Sequence, residues 1–324
     1  MHSVDYLMNK IQDAFPEGEF LGVPIELYEP IEYTLSQGGK RLRPLLVLLS
    51  CDMFGGNPDV AMNPAIGVEI FHNFTLLHDD IMDQAPLRRG AQTVYKKWDS
   101  NVAILSGDTM FVMAYEYVCR VTPAKLPSVL ATFNDTARKV CEGQQYDMNF
   151  ETQQQVNLDD YFMMIQLKTA VLIACCVKVG AIMAGASAQD AENIYKFGEN
   201  LGMAFQLQDD LLDAFGDTSK FGKEIGGDIV TNKKTFLYLK AFELANGETL
   251  EELTHLFHQQ QIDPNHKILR IKEIYQSLGI DIITQEIIED YHKKAIDYLN
   301  LISVEEASKR GLRKLANEMI HREV

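Results

Sequence analysis

Six aspartates in two matching sets are the residues best suited to do chemistry. Leu77-His78-Asp79-Asp80-Ile81-Met82-Asp83 is echoed by Leu207-Gln208-Asp209-Asp210-Leu211-Leu212-Asp213. In each set the first and last aspartates are i and i+4, so they share a helix face with Cβ atoms about 6 Å apart. Three carboxylates in one turn repel one another, and the macrodipole near a helix C-terminus disfavours them further. Bound cations resolve that conflict. Hard oxygen donors select Mg²⁺ or Mn²⁺ over zinc, and Mg²⁺ keeps waters and bridges to substrate phosphates. A solvated acidic helix end explains one such cluster equally well. Two copies, each closing a long apolar segment, weaken that explanation, because buried carboxylates without counter-charge are costly.

The counter-charge is present. Gly38-Gly39-Lys40-Arg41-Leu42-Arg43-Pro44 is a basic loop ahead of an apolar stretch, and Arg88-Arg89-Gly90 follows the first cluster. Lys168-Thr169 interrupts an apolar run, and Lys223, Lys233 and Lys234 follow the second cluster. An anion held by metals on one side and these cations on the other satisfies both, and diphosphate fits. His78 reads as a hydrogen-bonding residue, since Mg²⁺ prefers oxygen.

The elements that carry these residues read as helices. Leu45 to Leu49, Ala65 to Leu77, Val102 to Val118, Tyr161 to Ala184 and Ala191 to Leu212 are apolar or amphipathic with few breakers. Hairpin dipeptides are nearly absent. Gly/Pro/Asn-rich breaks such as Gly55-Gly56-Asn57-Pro58 and Asp263-Pro264-Asn265 read as inter-helix loops, so residues 1–324 form one all-α domain. The segments near 65–77 and 170–184 are apolar nearly all round and should be central. The balance of 46 acidic against 30 basic residues, −16 overall, argues against nucleic acid as a partner. The five cysteines show no metal-site spacing and suit a reducing cytoplasm. No secretory pattern opens the chain, and no uninterrupted apolar run is long enough to span a bilayer.

Taken in order, these motifs resemble the trans-isoprenyl diphosphate synthase family, of the short-chain farnesyl and geranylgeranyl type. The match comprises the basic loop at 38–44, His72, the cluster at 79–83, Arg88-Arg89-Gly90, Gly143-Gln144 with Asp147, and Lys168-Thr169. It continues through 205–213, Phe215-Gly216-Asp217, Gly222-Lys223, Gly227-Asp228 and Asn232-Lys233-Lys234-Thr235. The resemblance implies an isoprenoid synthase fold, a helical bundle around a deep cavity, in a cytoplasmic homodimer. It implies three Mg²⁺ ions, replaceable by Mn²⁺, on Asp79, Asp80, Asp83, Asp209, Asp210 and Asp213. Arg88, Lys168, Thr169, Gln206, Lys223 and Lys233 would hold an allylic diphosphate (dimethylallyl, geranyl or farnesyl). Lys40, Arg41, Arg43, His72 and Arg89 would hold isopentenyl diphosphate. The reaction would join the two head to tail, with the released diphosphate rather than a side chain as base.

The family's product pocket lies one to two turns before the first cluster. Thr75 is about 40° from Asp79 around the helix, Phe71 about 80° and Phe74 about 140°. The small Thr75 leaves room, and the two phenylalanines form a plug. A short product, C15 or C20, is expected, with C20 ahead. The glycine- and lysine-bearing stretch from Gly216 to Thr235 reads as a lid over bound diphosphate. A terpene cyclase is the main competing reading, but it lacks the isopentenyl diphosphate loop and a second aspartate-rich motif of this kind. A non-catalytic subunit of a heteromeric synthase tends to lose aspartates or basic residues, and this chain keeps both sets.

Overall fold

The structure is a computed structural model that describes residues 2–216, 226–259 and 262–320. It is all-α: 78% of the described residues are helical. The chain divides into two compact units, each made of non-contiguous segments. The first comprises Met1–Asp135, Cys175–Tyr195 and Ile302–Leu312; the second comprises Thr136–Ala174, Lys196–Leu301 and Arg313–Val324.

The first unit begins with α1 (Val4–Asp13), α2 (Ile25–Ser36), α3 (Leu42–Met53) and α4 (Met62–Met82). Ser3 opens α1 by accepting a hydrogen bond from the Tyr6 N–H. Every α3 residue from Pro44 to Met53 is buried, so this short helix is a core element. Its one interior hydroxyl, Ser50 Oγ, is satisfied by donating to the Val177 carbonyl at 2.6 Å. Then come a hairpin of β1 (Leu87–Arg88) and β2 (Ala91–Gln92), α5 (Val94–Lys97) and α6 (Ser100–Val118). Asp99 caps α6 through the Val102 N–H at 2.9 Å. α4 packs along α6, with α3 against α4 and α2 against α6. The hairpin was not expected from the sequence. Its two-residue turn, Arg89-Gly90, has φ of 53° and 77°, and two positive φ values in succession are what a tight hairpin turn requires.

The second unit takes residues from α7 (Leu126–Thr152), α9 (Val171–Ala184) and α10 (Ala188–Phe215), which the first unit also uses. It wholly contains α8 (Leu158–Ile165), α11 (Gly227–Val230), α12 (Phe236–Leu244), α13 (Gly247–His258), α14 (Pro264–Ser277) and α15 (Ile280–Asn300). α16 (Glu306–Ile320) closes the chain. A reciprocal Asn157/Asp160 capping box opens α8. Gln166–Ala170 between α8 and α9 is a π-helical turn. The rings of Tyr161, Phe162, Phe236 and Tyr291 join α8, α12 and α15. By length and composition Leu158–Ala184, which contains the apolar segment Tyr161 to Ala184 that Lys168-Thr169 interrupts, could cross a membrane; its most apolar window is 67% buried inside the fold, as in a core helix.

Candidate active site

In the first unit the acidic cluster sits where α4 ends. Asp83 is the C-cap, and its N–H donates to the Asp79 carbonyl at 2.8 Å. Asp80 is buried and accepts from Arg88 Nε at 2.7 Å, while Arg88 Nη2 lies 3.8 Å from Asp79. Burial pushes the Asp80 carboxyl up to about 6; Arg88 pulls it down, and Asp79 and Asp83 push it up further. The hairpin that was missed in the sequence is what delivers Arg88 and Arg89. Arg89 Nη1 donates to the Gly38 carbonyl at 2.6 Å, linking hairpin to basic loop. His72 lies in the same cationic neighbourhood. Burial, then the fields of Arg43, Arg89, Arg88 and Arg41, holds it well below the usual histidine range, so it is neutral at pH 7. His78 has the hydrogen-bonding environment expected of it, with Nε2 3.2 Å from the Ile104 carbonyl.

Lys40 is exposed and Arg43 half-buried, but Arg41 departs from the expectation. Its guanidinium turns inward, donating to Glu69 at 2.9 Å and to the Leu35 carbonyl at 2.5 Å, over the Phe15 ring. The physical reason is Glu69, which is 2% exposed and requires a buried counter-charge. Two of the Arg41 donors are thereby taken up inside the fold.

Two turns up α4 from the cluster, Phe71 and Phe74 do touch, with centroids 5.6 Å apart. The sequence reading missed their partner across the helix pair. Phe111 of α6 lies 5.1 Å from Phe74 and 6.0 Å from Phe71. Tyr115 and Phe133 extend the aromatic cluster. Thr75 Oγ1 is folded back onto the His72 carbonyl at 2.8 Å, which keeps that position small and its hydroxyl satisfied.

In the second unit the π turn carries Lys168 and Thr169, and π turns recur at functional sites. Gly143 of α7 explains how close that turn runs: a Cβ there would lie 2.3 Å from the Lys168 backbone nitrogen. Lys168 Nζ donates to Asp147 at 2.5 Å, and Lys233 Nζ is 3.8 Å from the same carboxylate. Burial raises Asp147, but Lys233 and Lys168 outweigh it and hold the carboxyl below its ordinary range. Lys234 instead donates to the Phe150 and Gln153 carbonyls near the end of α7. Thr169 Oγ1 donates to Gln206 Oε1 at 2.9 Å, and Gln206 Nε2 donates to Asp210 Oδ1 at 2.9 Å. The fully buried Tyr161 hydroxyl donates to the other Asp210 oxygen at 2.5 Å. Tyr161 and Asp147 had no role assigned from sequence. Burial first, then Asp228, pushes Asp210 up to about 7. Asp213 Oδ2 accepts from the Asp228 N–H at 3.0 Å. Lys223 lies outside the described residues, as does the 217–225 part of the expected lid.

The donor set fits a hard divalent cation. Each cluster supplies carboxylate oxygens alone, and in each the middle aspartate is buried, which pushes its carboxyl up. No group of three such ligands forms a closed cage among the described residues.

Comparison with known proteins fits the same chemistry. The polyprenyl synthetase family profile matches residues 24–278. The chain belongs to the polyprenyl synthetase family. It is 35% identical over 301 residues to a short chain isoprenyl diphosphate synthase of Methanothermobacter thermautotrophicus, covering 93% of this chain and 91% of the relative. It is 34% identical over 302 residues to a geranylgeranyl diphosphate synthase of Sulfolobus acidocaldarius, covering 92% and 90%. A crystal structure of a geranylgeranyl pyrophosphate synthase superposes with a TM-score of 0.94 at 44% identity, covering both chains fully. This polyprenyl synthetase is thus a prenyltransferase with the isoprenoid synthase fold, in a family that is generally magnesium-dependent.

Proposed function

We propose that this polyprenyl synthetase condenses isopentenyl diphosphate head to tail with an allylic diphosphate and stops at the C20 product, geranylgeranyl diphosphate. The observation that supports the stopping point is the stack of Phe74, Phe71 and Phe111 beyond the small Thr75. The names of relatives favour the same length.

The two aspartate clusters are assigned to Mg²⁺, three ions in all, with Mn²⁺ as a substitute. When bound, the metal neutralises charge on the departing allylic diphosphate. Lys168 and Lys233, gathered by Asp147, and Arg88 add fixed positive charge to that leaving group, so the allylic C–O bond ionises. Thr169 and Gln206 act by holding Asp210 in place. Lys40, Arg43, Arg89 and neutral His72 hold the diphosphate of isopentenyl diphosphate, so its double bond is presented to the cation. The new C–C bond forms, and the proton lost goes to the released diphosphate. Apolar walls exclude the water that would quench the cation. The exposed apolar face of α6, with Ile104, Leu105 and Val112, is assigned to a homodimer contact.

The experiment is product analysis with isopentenyl diphosphate and each of dimethylallyl, geranyl and farnesyl diphosphate. All three should yield C20, activity should vanish with a chelator, and Mg²⁺ or Mn²⁺ should restore it. Turnover in metal-free buffer, or a product ending at C15, would overturn the reading.

A further inference from the structure

The basic loop does not hold its own shape. Gly38, Gly39 and Arg41 all have positive φ, at 73°, 124° and 44°, and Arg41 is a residue type that rarely adopts such a backbone. Something must hold it there. Glu69, on α4 and 2% exposed, receives the Arg41 guanidinium at 2.9 Å. One turn on, Asn73, 1% exposed, donates through Nδ2 to the Glu69 carbonyl at 2.8 Å and to its carboxylate at 3.2 Å. Asn73 Oδ1 accepts from Arg89 Nη1 at 3.4 Å, and the same nitrogen donates to the Gly38 carbonyl. A Cβ on Gly39 would lie 3.0 Å from the Arg89 guanidinium, so the loop is bare backbone where Arg89 crosses it. The contacts close a ring: loop, Arg41, Glu69, Asn73, Arg89, loop.

We infer that Glu69 is a positioning residue for the isopentenyl diphosphate site. Its single negative charge sets Arg41 directly and Arg89 through Asn73. Arg41 in turn fixes the loop between Lys40 and Arg43. The anion-binding side chains are thereby pre-set, although Glu69 itself is buried. The electrostatics favour this arrangement. Burial and the fields of Arg41, Arg88 and Arg43 all disfavour the Arg89 charge, and the Glu69 carboxylate offsets them. The inference rests on the assignment of Lys40 and Arg43 to isopentenyl diphosphate, which Lys40→Ala and Arg43→Ala test separately.

The test compares Glu69→Gln, Arg41→Gln and the double variant Arg41→Gln/Glu69→Gln with the parent, reading KM for each substrate and kcat. Each single variant should raise KM for isopentenyl diphosphate about tenfold, the loss that one misplaced charged contact brings, with KM for the allylic substrate unchanged. The double variant, whose buried pair is neutral, should be no worse than either single. If a single variant fails to fold, the double variant alone is read, and a KM rise confined to isopentenyl diphosphate is required of it. A fall in kcat with equal shifts in both KM values would reduce Glu69 to a core strut and overturn the inference. So would a KM for isopentenyl diphosphate that stays put while Lys40→Ala raises it. If Lys40→Ala and Arg43→Ala leave that KM unchanged, the site assignment itself fails, and the inference with it.

Discussion

At the scale of single residues the basic side chains divide by what already holds them. Arg41 is turned inward onto Glu69 and Lys234 onto the Phe150 and Gln153 carbonyls, whereas Arg88, its Nε 2.7 Å from Asp80, stays at the first aspartate cluster, beside the site assigned to the allylic diphosphate. Lys168 and Lys233 meet at one carboxylate, Asp147, which gathers two positive charges at the place assigned to the allylic diphosphate. Lys168→Ala should therefore lower kcat or weaken the allylic substrate by about 1.5–3 kcal/mol, roughly 10- to 150-fold, and leave KM for isopentenyl diphosphate alone. Lys40→Ala and Arg43→Ala should do the reverse, and steady-state kinetics with each substrate varied separates them. His72 gives a pH prediction. Its pKa is depressed in the folded chain, so it is neutral in both states above about pH 6.5, the unfolded value. Below that, the unfolded chain binds a proton that the folded chain refuses, and stability falls as pH falls, by at most about 1.4 kcal/mol per pH unit. Thermal melts at pH 7.5 and 5.5 should show His72→Gln losing less than the parent on acidification. An equal or larger loss would mean that His72 takes up its proton without penalty.

At the scale of elements, the product floor is a property of a helix pair. Phe74 lies about 7.5 Å along α4 from Asp79, and Phe111 reaches it from α6 at 5.1 Å. Phe74→Ala should lengthen the product by at least one isoprene unit. Phe71→Ala should do less, because Phe74 and Phe111 still close the path. Phe111→Ala in the Phe74→Ala background should lengthen it again. Core damage of about 3–5 kcal/mol lowers yield without moving the product peak, so chromatography of chain lengths distinguishes the two effects. An unchanged product from a folded Phe74→Ala/Phe111→Ala variant would remove the plug. Helix positions were legible because their signal is local: the apolar period at 65–77 and 102–118 lies within α4 and α6, and that at 161–184 covers α8, the π turn and α9. The two aspartate sets were legible because their spacing is itself the chemistry. Phe111, Tyr161 and Glu69 were not, since each matters only through a partner distant in sequence. The inward turn of Arg41 was hidden for the same reason: in GGKRLRP nothing local tells an arginine that meets a ligand from one that meets a buried glutamate 28 residues on.

At the scale of the whole molecule, the question is what covers α6. Ile104, Leu105 and Val112 are 45%, 58% and 58% exposed on one helix. α2, packed against α6, follows directly on exposed Leu21 and Val23 and opens at exposed Ile25. A monomer in water leaves that apolar area wet, at about 25 cal/mol per Å² that burial would recover. A second copy can recover it, because a two-fold contact needs only one surface that complements itself. Light scattering on the eluting protein should therefore give twice 36.7 kDa. Leu105→Glu/Val112→Glu places like charges opposite one another across such a contact and should halve the mass, while circular dichroism stays helical because both positions are exposed in the single chain. The net charge of −16 per chain adds a second signature. Two such copies repel over a distance that salt shortens, from a Debye length of about 30 Å at 0.01 M to about 8 Å at 0.15 M. Dissociation on dilution should therefore be easier at low salt, the opposite of an interface held by ion pairs. A parent that elutes as a monomer, or a double variant that keeps the doubled mass, would assign the α6 face to some other role.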